Sequence, residues 1–266
     1  MKVPFYLIEV FNDHKSGWRG NIAAVLHLEK ELSPEKMLEI AEDLAQPATS
    51  FMVKNPNDPY NYKIRWFAPV SEIGLCGHGS LAAIASLENR IEKNRIITLQ
   101  YPEGEIPGEL LNKDSGYIKL EGIEIEKKNK NILKLEQALG QKVLEHYITA
   151  NKDIVVLENE LAVKTMKPDF AALRKLPSFG YSVTAKGNKV DFVSRTIIPF
   201  IPILEDQATG SSHASLGPFW SKRLNKNELT ALQLSKRGGK FSILMDDNWV
   251  SLCGNYTILS QGEISI

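Results

Sequence analysis

Alternation of hydrophobic and polar residues predicts several strands in this chain. Tyr62, Ile64 and Trp66 alternate with Lys63 and Arg65, which is the period of a strand with one buried face. Short apolar runs predict further strands at residues 2–10, 22–28, 50–54, 154–157, 181–184 and 192–198.

Helical spacing marks a second set of segments. Ser33 stands before Pro34, an N-cap residue followed by proline at the first helical position. Apolar residues then recur at positions 37, 40, 41 and 44, on one face of a helix that Pro47 ends. The same reasoning predicts helices at residues 131–139, 168–176, 215–224 and 227–234.

Residues 81–87, with the sequence LAAIASL, differ from the amphipathic segments because they are apolar on nearly every side. A helix without a polar face must be buried all round. Gly77 and Gly79 stand at its start. The sequence therefore predicts a central helix that is enclosed by strands and begins in a glycine-rich turn.

One order of features occurs twice along the chain. Arg65 begins an Arg-x-x-x-Pro segment that precedes Glu72 and a glycine turn. About 130 residues later, Arg195 begins another such segment, before Glu205 and Gly210. A repeat of this length indicates duplicated structural units, with coincidence as the alternative.

The repeat divides the chain into two expected halves, residues 1–126 and 127–266. Residues 127–131, rich in Lys and Asn, are the expected linker, and the last strand is expected to pair with the first half. A chain of 266 residues has room for two such units.

Composition narrows the class of protein. The 32 Lys and Arg residues balance the 32 Asp and Glu residues, which argues against nucleic acid as the main partner. The two cysteines, Cys76 and Cys253, form neither a disulfide framework nor a metal-ligand pair. With no membrane-spanning run and no signal-peptide pattern, we expect a soluble protein of the cytoplasm.

Two polar segments carry the candidate chemistry, residues 72–80 (EIGLCGHGS) and 205–213 (EDQATGSSH). In each, a glycine turn precedes a helix, so that backbone N–H groups and the positive end of the helix dipole are available to an anion. Two such turns would hold a small carboxylate from both sides. This arrangement suits removal of a proton next to a carboxylate, where negative charge develops.

His78 and Cys76 are the candidates for proton transfer in the first segment. His78 either exchanges a proton near neutral pH or hydrogen-bonds only loop backbone. Cys76 is either a thiol acid or base, activated by the helix start, or a buried apolar filler.

Asp206 and Ser211 are the candidates in the second segment. Asp206 is a general base, a partner of His78 or a helix N-cap, and these alternatives are open. Ser211 and Ser80 either hydrogen-bond a substrate carboxylate or cap helices, whereas His213 is expected to be structural.

Other motif interpretations have less support. The Walker A ending, the dinucleotide-binding glycine motif and Gly-x-Ser-x-Gly are all missing. His78, Asp206 and Ser211 would serve as a hydrolytic triad, although no sharp nucleophile turn marks Ser211.

The two segments, with their flanks, resemble the PhzF family of phenazine-biosynthesis proteins. The family typically shows GGNPAAV, RWFxP followed by ExxLCGH, and EDPxTGS. The corresponding stretches here are residues 19–25 (RGNIAAV), 65–69 (RWFAP), 72–78 (EIGLCGH) and 205–211 (EDQATGS). These motifs occur in order and span nearly the whole chain.

The resemblance implies an α+β fold like that of diaminopimelate epimerase, with two halves, each a barrel-like sheet around a central helix, and the active site in the cleft between them. It implies an isomerase without cofactor or metal, often a homodimer, that moves a proton on a small carboxylic acid such as a dihydroxylated anthranilate. His78, Asp206 and Ser211 match the family's site positions. We assign Cys76 to catalysis beside them and expect substrate contacts from Asn21, Gly77, Gly79, Ser80, Gly210 and Ser211.

One departure from the family pattern concerns the main acid/base. The family has glutamate in a Ser-Glu-Thr-x-Phe stretch, whereas residues 47–51 here read PATSF, with Ala48 at the glutamate position. Gly74 and Gln207 are smaller departures, where aspartate and proline are usual.

Three accounts of the missing glutamate are open. In the first, another pair, Asp206 or His78 with Cys76, takes over the proton transfer. In the second, Gln46 or a nearby carboxylate, such as Glu42 or Asp43, takes the place of the missing glutamate. Alternatively, the protein binds a small acid without turning it over, since losing a general acid/base lowers rates by about 10²–10⁴-fold.

Overall fold

The computed structural model describes residues 2–92, 94–129 and 132–266. The chain divides into two compact units, residues 1–120 with 252–266, and residues 121–251. The unit limits thus fall at 120/121 and 251/252, where the sequence suggested one boundary at 126/127.

The first unit is an eight-stranded barrel. Its long strands pair in the order β1–β2–β3–β4–β6–β7–β8, and the final strand of the chain, β17 (Trp249–Ser265), pairs with both β8 and β1. The short β5 lies on β4. The strands are β1 (Lys2–Asn12), β2 (Asn21–Leu28), β3 (Ala48–Lys54), β4 (Asn61–Ala68), β5 (Ser71–Ile73), β6 (Ile97–Tyr101), β7 (Gly104–Asn112) and β8 (Ser115–Glu121).

Helix α2 (Gly77–Ala85) is the central helix of this barrel. All nine of its residues are buried, and it packs against β1, β2, β3 and β7. This confirms the fully buried helix expected from the LAAIASL segment. Helix α1 (Pro34–Leu44) packs on the other face of the sheet through Met37, Ile40 and Ala41, and the Ser33 hydroxyl caps it by accepting from Lys36 N.

The second unit repeats this plan. Five successive strand pairs have the same directions in both units: antiparallel, parallel, antiparallel, parallel and antiparallel. The strands are β9 (Ile125–Asn129), β10 (Val143–Thr149), β11 (Asp153–Leu157), β12 (Tyr181–Lys186), β13 (Phe192–Ile197), β14 (Glu205–Asp206), β15 (Glu228–Gln233) and β16 (Gly239–Asp246).

Helix α6 (Gly210–Leu224) occupies in the second unit the place that α2 has in the first. Like α2 it follows a short strand, since β14 lies on β13 as β5 lies on β4. Its first eight residues are all buried. Three shorter helices, α3 (Leu133–Leu139), α4 (Glu160–Thr165) and α5 (Phe170–Leu173), cover an apolar core that includes Val155 and Val183.

The Arg-x-x-x-Pro repeat has a structural basis in both units. Arg65 donates through Nε and Nη2 to the two carboxylate oxygens of Glu72, at 2.8 and 2.7 Å. Arg195 makes the same bidentate pair with Glu205, at 2.7 Å for each bond. Each pair joins two antiparallel strands just before a central helix, so the duplication inferred from sequence is present in the fold.

Two expectations from sequence are wrong. Residues 227–234 were expected to form a helix, but residues 228–233 form strand β15. Leu229, Ala231 and Gln233 are buried with exposed or half-buried residues between them, the period of a strand paired on both sides, which overrides the helix propensity of Leu and Ala. The expected linker is wrong over residues 127–129, which belong to β9, while residues 130 and 131, and with them the start of the predicted helix 131–139, lie outside the described residues.

We expect the free energy of unfolding to fall as the pH drops from about 6.5 to about 4. Burial, together with the charge of Arg90, lowers the pKa of His27 to about 4. Burial also lowers the pKa of His213 to about 4. Because the unfolded chain binds these protons at higher pH than the folded chain, stability is complete above pH 6.5, and about 1–2 kcal/mol for each histidine is lost at pH 5.

Urea unfolding at pH 7 and pH 5 measures this loss. His27→Gln and His213→Gln should each reduce the difference in the free energy of unfolding between pH 7 and pH 5. The carboxylates contribute equally to this difference in all variants. If this difference in unfolding free energy is unchanged in both variants, the two histidines are not the source of the pH dependence.

The two arginine pairs should differ in their contribution to stability. The Arg195 and Glu205 side chains are 12% and 17% exposed, and Arg195 also donates to the carbonyls of Val163 and Met166. Arg65 and Glu72 are 19% and 38% exposed. Arg195→Gln should therefore lower the free energy of unfolding by about 2–4 kcal/mol, and Arg65→Gln by about 1 kcal/mol. Chemical denaturation measures the loss of unfolding free energy in each variant, and equal losses would refute the predicted difference between the two pairs.

Candidate active site

Helix α2 begins without a capping side chain. Cys76 is its N-cap, and the Cys76 side chain accepts no hydrogen bond from the first turn. By contrast, the side chains of Ser33, Asn159 and Asp169 cap helices α1, α4 and α5. Since a capping oxygen satisfies the first N–H donors of a helix, an uncapped and buried start is suited to an anionic ligand.

Gly79 allows this helix start to pack closely on the sheet. A Cβ atom at Gly79 would lie 2.7 Å from Trp66 Cδ1 and 3.0 Å from Ser50 Oγ. The Ser50 hydroxyl donates to the Gly79 carbonyl at 3.1 Å. The first turn of α2 is thus held directly against β3 and β4.

A thiol and an imidazole lie in contact at this helix start. Cys76 Sγ is 3.5 Å from His78 Nδ1, and the residues are 4% and 6% exposed. The Ser80 hydroxyl donates to the Cys76 carbonyl at 2.7 Å, so Ser80 is not the N-cap of α2. A thiol and an imidazole are both side-chain types that serve as general acids and bases in enzymes.

Ala48 faces the same helix. The Ser50 side chain bonds to Gly79, and alternate residues of a strand share a face, so the Ala48 methyl group points to the α2 side of β3. Ala48 is fully buried. Phe51, on the opposite face, packs in the cluster that contains helix α1.

The neighbours of Ala48 in sequence do not supply a replacement carboxylate in this structure. Gln46 Nε2 donates to the Leu44 carbonyl at 2.9 Å. Glu42 and Asp43 are exposed on α1, which packs on the face of the sheet opposite to Ala48.

Asn21, the first residue of β2, is fully buried, and its Oδ1 accepts from Ile22 N at 3.0 Å.

Helix α6 also begins without a capping side chain. Its N-cap is Thr209, whose side chain accepts no bond from the first turn, so neither Asp206 nor Ser211 is the N-cap. Ser211 is 7% exposed, and its Oγ accepts a hydrogen bond from Lys152 Nζ at 3.1 Å. Sequence reasoning missed Lys152, because a lysine in an Asn-Lys-Asp turn has the pattern of a surface residue.

Gln233 holds the loop before α6. Its Nε2 donates to the Asp206 carbonyl at 2.6 Å and to Thr209 Oγ1 at 3.0 Å, and its Oε1 accepts from Thr209 N at 2.8 Å. Asp206 is 9% exposed, and its Oδ1 accepts from Gln207 N at 2.9 Å. Gln207, at the family's proline position, uses its side chain within the same loop, donating to the Glu205 carbonyl and accepting from Arg237 N.

His213 has the structural role expected of it. Its Nδ1 donates to the Thr209 carbonyl at 2.8 Å, and its ring stacks on Phe241 with centroids 3.8 Å apart. Burial keeps this histidine neutral at ordinary pH, in line with its lowered pKa.

Among residues 2–92, 94–129 and 132–266, no group of three or more His, Cys, Asp or Glu side chains is arranged to hold a metal ion. No helix in that part of the chain is long and apolar enough to span a bilayer.

The match to known proteins covers almost the whole chain. Residues 8–262 match the family model described as phenazine biosynthesis-like protein, PhzC-PhzF. The chain belongs to the PhzF family. An uncharacterized isomerase of Pseudomonas aeruginosa is 35% identical to it over the full length of both chains.

Solved structures support the same family and fold. A PhzF-family protein of Enterococcus faecalis, 35% identical, covers both chains completely with a TM-score of 0.90. A hydroxyproline epimerase from Agrobacterium vitis is only 8% identical, yet it matches 99% of this chain and 92% of its own with a TM-score of 0.66. The α+β fold expected from the resemblance, two similar halves each with a barrel-like sheet and a central helix, is therefore confirmed.

Replacing Gln233 should loosen the loop that carries Asp206. Gln233→Leu removes three hydrogen bonds at a fully buried position and leaves backbone groups of Asp206 and Thr209 without those partners. We expect a loss of about 2–4 kcal/mol in the free energy of unfolding. Gln261→Leu, at an exposed position of β17, is the matched control and should change it by less than about 0.5 kcal/mol. Urea titration of both variants gives the comparison, and similar small losses would contradict the role of Gln233.

Proposed function

We propose that this PhzF-family chain is an isomerase or epimerase that moves a proton on a small carboxylic acid, with Cys76 and His78 as an acid–base pair. The observation that carries the proposal is the 3.5 Å contact between Cys76 Sγ and His78 Nδ1 at the buried, uncapped start of α2. The pair takes over the work of the glutamate that Ala48 replaces.

The helix start would stabilise the charge that this reaction develops. Removing a proton next to a carboxylate leaves negative charge on the substrate, and preorganised N–H donors together with a helix dipole lower its energy. Gly77 and Gly79 bring the first turn of α2 close to a ligand, and Asn21 is the polar side chain proposed to bind it, whereas the Ser80 hydroxyl holds the turn through its bond to the Cys76 carbonyl. All four are buried, which favours electrostatic stabilisation over competition with water.

Asp206, Gly210 and Ser211 are the residues of the second unit that are proposed to act on a small carboxylic acid. The family resemblance assigns Asp206 and Ser211 to the site, and α6 begins without a side-chain cap as α2 does. In this proposal Asp206 is the acid or base of the second unit, while Gly210 and Ser211 bind the substrate carboxylate. The resemblance also supports a homodimeric enzyme of the cytoplasm that uses neither cofactor nor metal.

A second candidate function is binding of a small acid without turnover. It is favoured by Ala48, a methyl group fully buried on the α2 side of β3, where the family has its acid/base. The loss of one such group lowers the rate of proton transfer by about 10²–10⁴-fold and leaves the backbone intact.

Deuterium incorporation in D₂O tests the first candidate against the second. A panel of small carboxylic acids, including the dihydroxylated anthranilate of the family reaction, is incubated with the protein and analysed by mass spectrometry. Cys76→Ser and His78→Gln should each lower exchange by about 10²–10⁴-fold, because each removes one member of the pair. Cys253→Ser is the matched control, since Cys253 lies half-buried on β17, and it should retain full exchange.

Restoring the family carboxylate separates the two candidates further. If Cys76 and His78 carry the reaction, Ala48→Glu adds little. If the wild type only binds, Ala48→Glu should raise exchange by about 10²-fold or more, and Ala48→Gln, of equal size without an ionisable group, should not. Full exchange by both Cys76→Ser and His78→Gln would refute the proposed pair.

A further inference from the structure

Trp66 carries a buried hydrogen-bond donor that is not used by the fold. The residue is 1% exposed, and its indole Nε1 has no hydrogen-bond partner within the described part of the chain. An indole N–H only donates, so only an acceptor can satisfy it. Buried polar groups in native proteins nearly always have a partner, and a donor without one costs free energy that a bound acceptor recovers.

The edge of the indole that carries this donor lies at the start of α2. Trp66 on β4 is opposite Ser50 on β3, and Ser50 donates to the Gly79 carbonyl, so both side chains face the helix. Cδ1, the ring carbon bonded to Nε1, is 2.7 Å from the position that a Cβ atom of Gly79 would occupy, and Cys76 Sγ is 3.1 Å from the same position. The donor edge and the thiol are therefore neighbours at the first turn of the helix.

Packing fixes the indole in this orientation. The Tyr101 ring packs on it at a tilt of 58°, with centroids 5.4 Å apart, and Gly79 brings the helix backbone directly against Cδ1. A donor that is held in place before a ligand arrives loses little conformational entropy on binding. The first turn of α2, which has no side-chain cap, adds the positive end of the helix dipole at the same place.

We propose that Trp66 is a substrate-binding residue whose indole N–H donates to a carboxylate oxygen of the substrate at the start of α2. The inference rests on the proposed function and deepens it, since it states which group of the substrate the first unit binds. The indole and the backbone amides of the first turn all donate, so an oxyanion finds partners there. An ammonium group, which also only donates, would meet other donors and the positive end of the dipole. The first unit therefore selects the acid end of a substrate over an amine.

The test is a titration of the full chain with sodium acetate, the simplest carboxylate, followed by ¹H–¹⁵N NMR of the Trp66 indole and of the Gly77 and Gly79 amides. We expect saturable shifts in the wild type, with the indole proton moving downfield as its hydrogen bond forms. Methylammonium chloride, whose cation is as small as acetate and of opposite charge, should give no saturable shift of these resonances.

Trp66→Phe removes the N–H and keeps an aromatic ring at the same position. It should weaken acetate binding by about 10–100-fold, the effect of losing one hydrogen bond to a charged group. Trp220→Phe is the matched control, because Trp220 is 3% exposed and its Nε1 already donates to Thr184 Oγ1 at 3.0 Å in the second unit. That variant should bind acetate at the Gly77 and Gly79 amides within about 2-fold of wild type, since its N–H has its own partner.

A measurement on the wild type keeps the test valid even where Trp66→Phe fails to fold. The Trp66 indole resonance, assigned through its proximity to Gly79, should shift with the same dissociation constant as the Gly79 amide. The proposal is overturned if acetate gives no saturable shift of these resonances, if the indole does not follow the Gly79 amide, or if methylammonium binds as acetate does. Acetate binding by folded Trp66→Phe that equals the wild type would overturn it as well.

The titration needs no turnover, which separates this inference from the proposed function. Acetate binding that depends on Trp66 supports the inference even in a chain that exchanges no deuterium. Conversely, deuterium exchange that depends on Cys76 and His78, with acetate binding unaffected by Trp66→Phe, would leave the isomerase proposal intact and refute the role of Trp66.

Discussion

The enclosure of α2 by strands is the constraint on which the first unit depends. All nine residues of this helix are buried, so its first turn lies among side chains rather than in water. Backbone donors in such a place need partners from the protein or from a ligand. The side chain of the N-cap Cys76 does not accept a capping hydrogen bond from these donors. Gly79 packs so closely on Trp66 that a side chain does not fit at its position. Close packing is thus one consequence of the buried helix start, and the proposed anion binding would be a second.

The second unit meets the same constraint with different side chains. The Arg195–Glu205 pair repeats the geometry of Arg65–Glu72, but it is less exposed and makes two further bonds to carbonyls. The start of α6 has a lysine beside it, whereas the start of α2 has a thiol and an imidazole. Duplication therefore preserved the scaffold while the polar groups at the two helix starts diverged.

Sequence patterns predicted the elements that are determined locally. The apolar LAAIASL segment predicted α2, and Ser33 with Pro34 predicted the start of α1, because burial on all sides and capping leave a signal in adjacent residues. Strand β15 was missed because Leu229 and Leu232 have helical spacing, and only pairing with β13 and β16 decides otherwise. The motif residues His78, Asp206 and Ser211 were accessible through family likeness. The contacts that hold them in place were not predicted, since Lys152 is 59 residues from Ser211 and Gln233 is 24 from Thr209.

Ala48 shows why backbone likeness and reaction are separate properties in this fold. It pairs with Ala23 within the sheet and packs fully buried, so exchanging a carboxylate for a methyl group leaves the β2–β3 ladder unchanged. The barrel and its central helix account for the fold, whereas the family resemblance places the acid/base at this one strand position, which faces α2. In the proposed function, a chain that keeps both helix starts but lacks that side chain moves protons with other groups, or binds its ligand without turnover. In the first unit the contact between Cys76 and His78 is the arrangement of such groups that this structure provides.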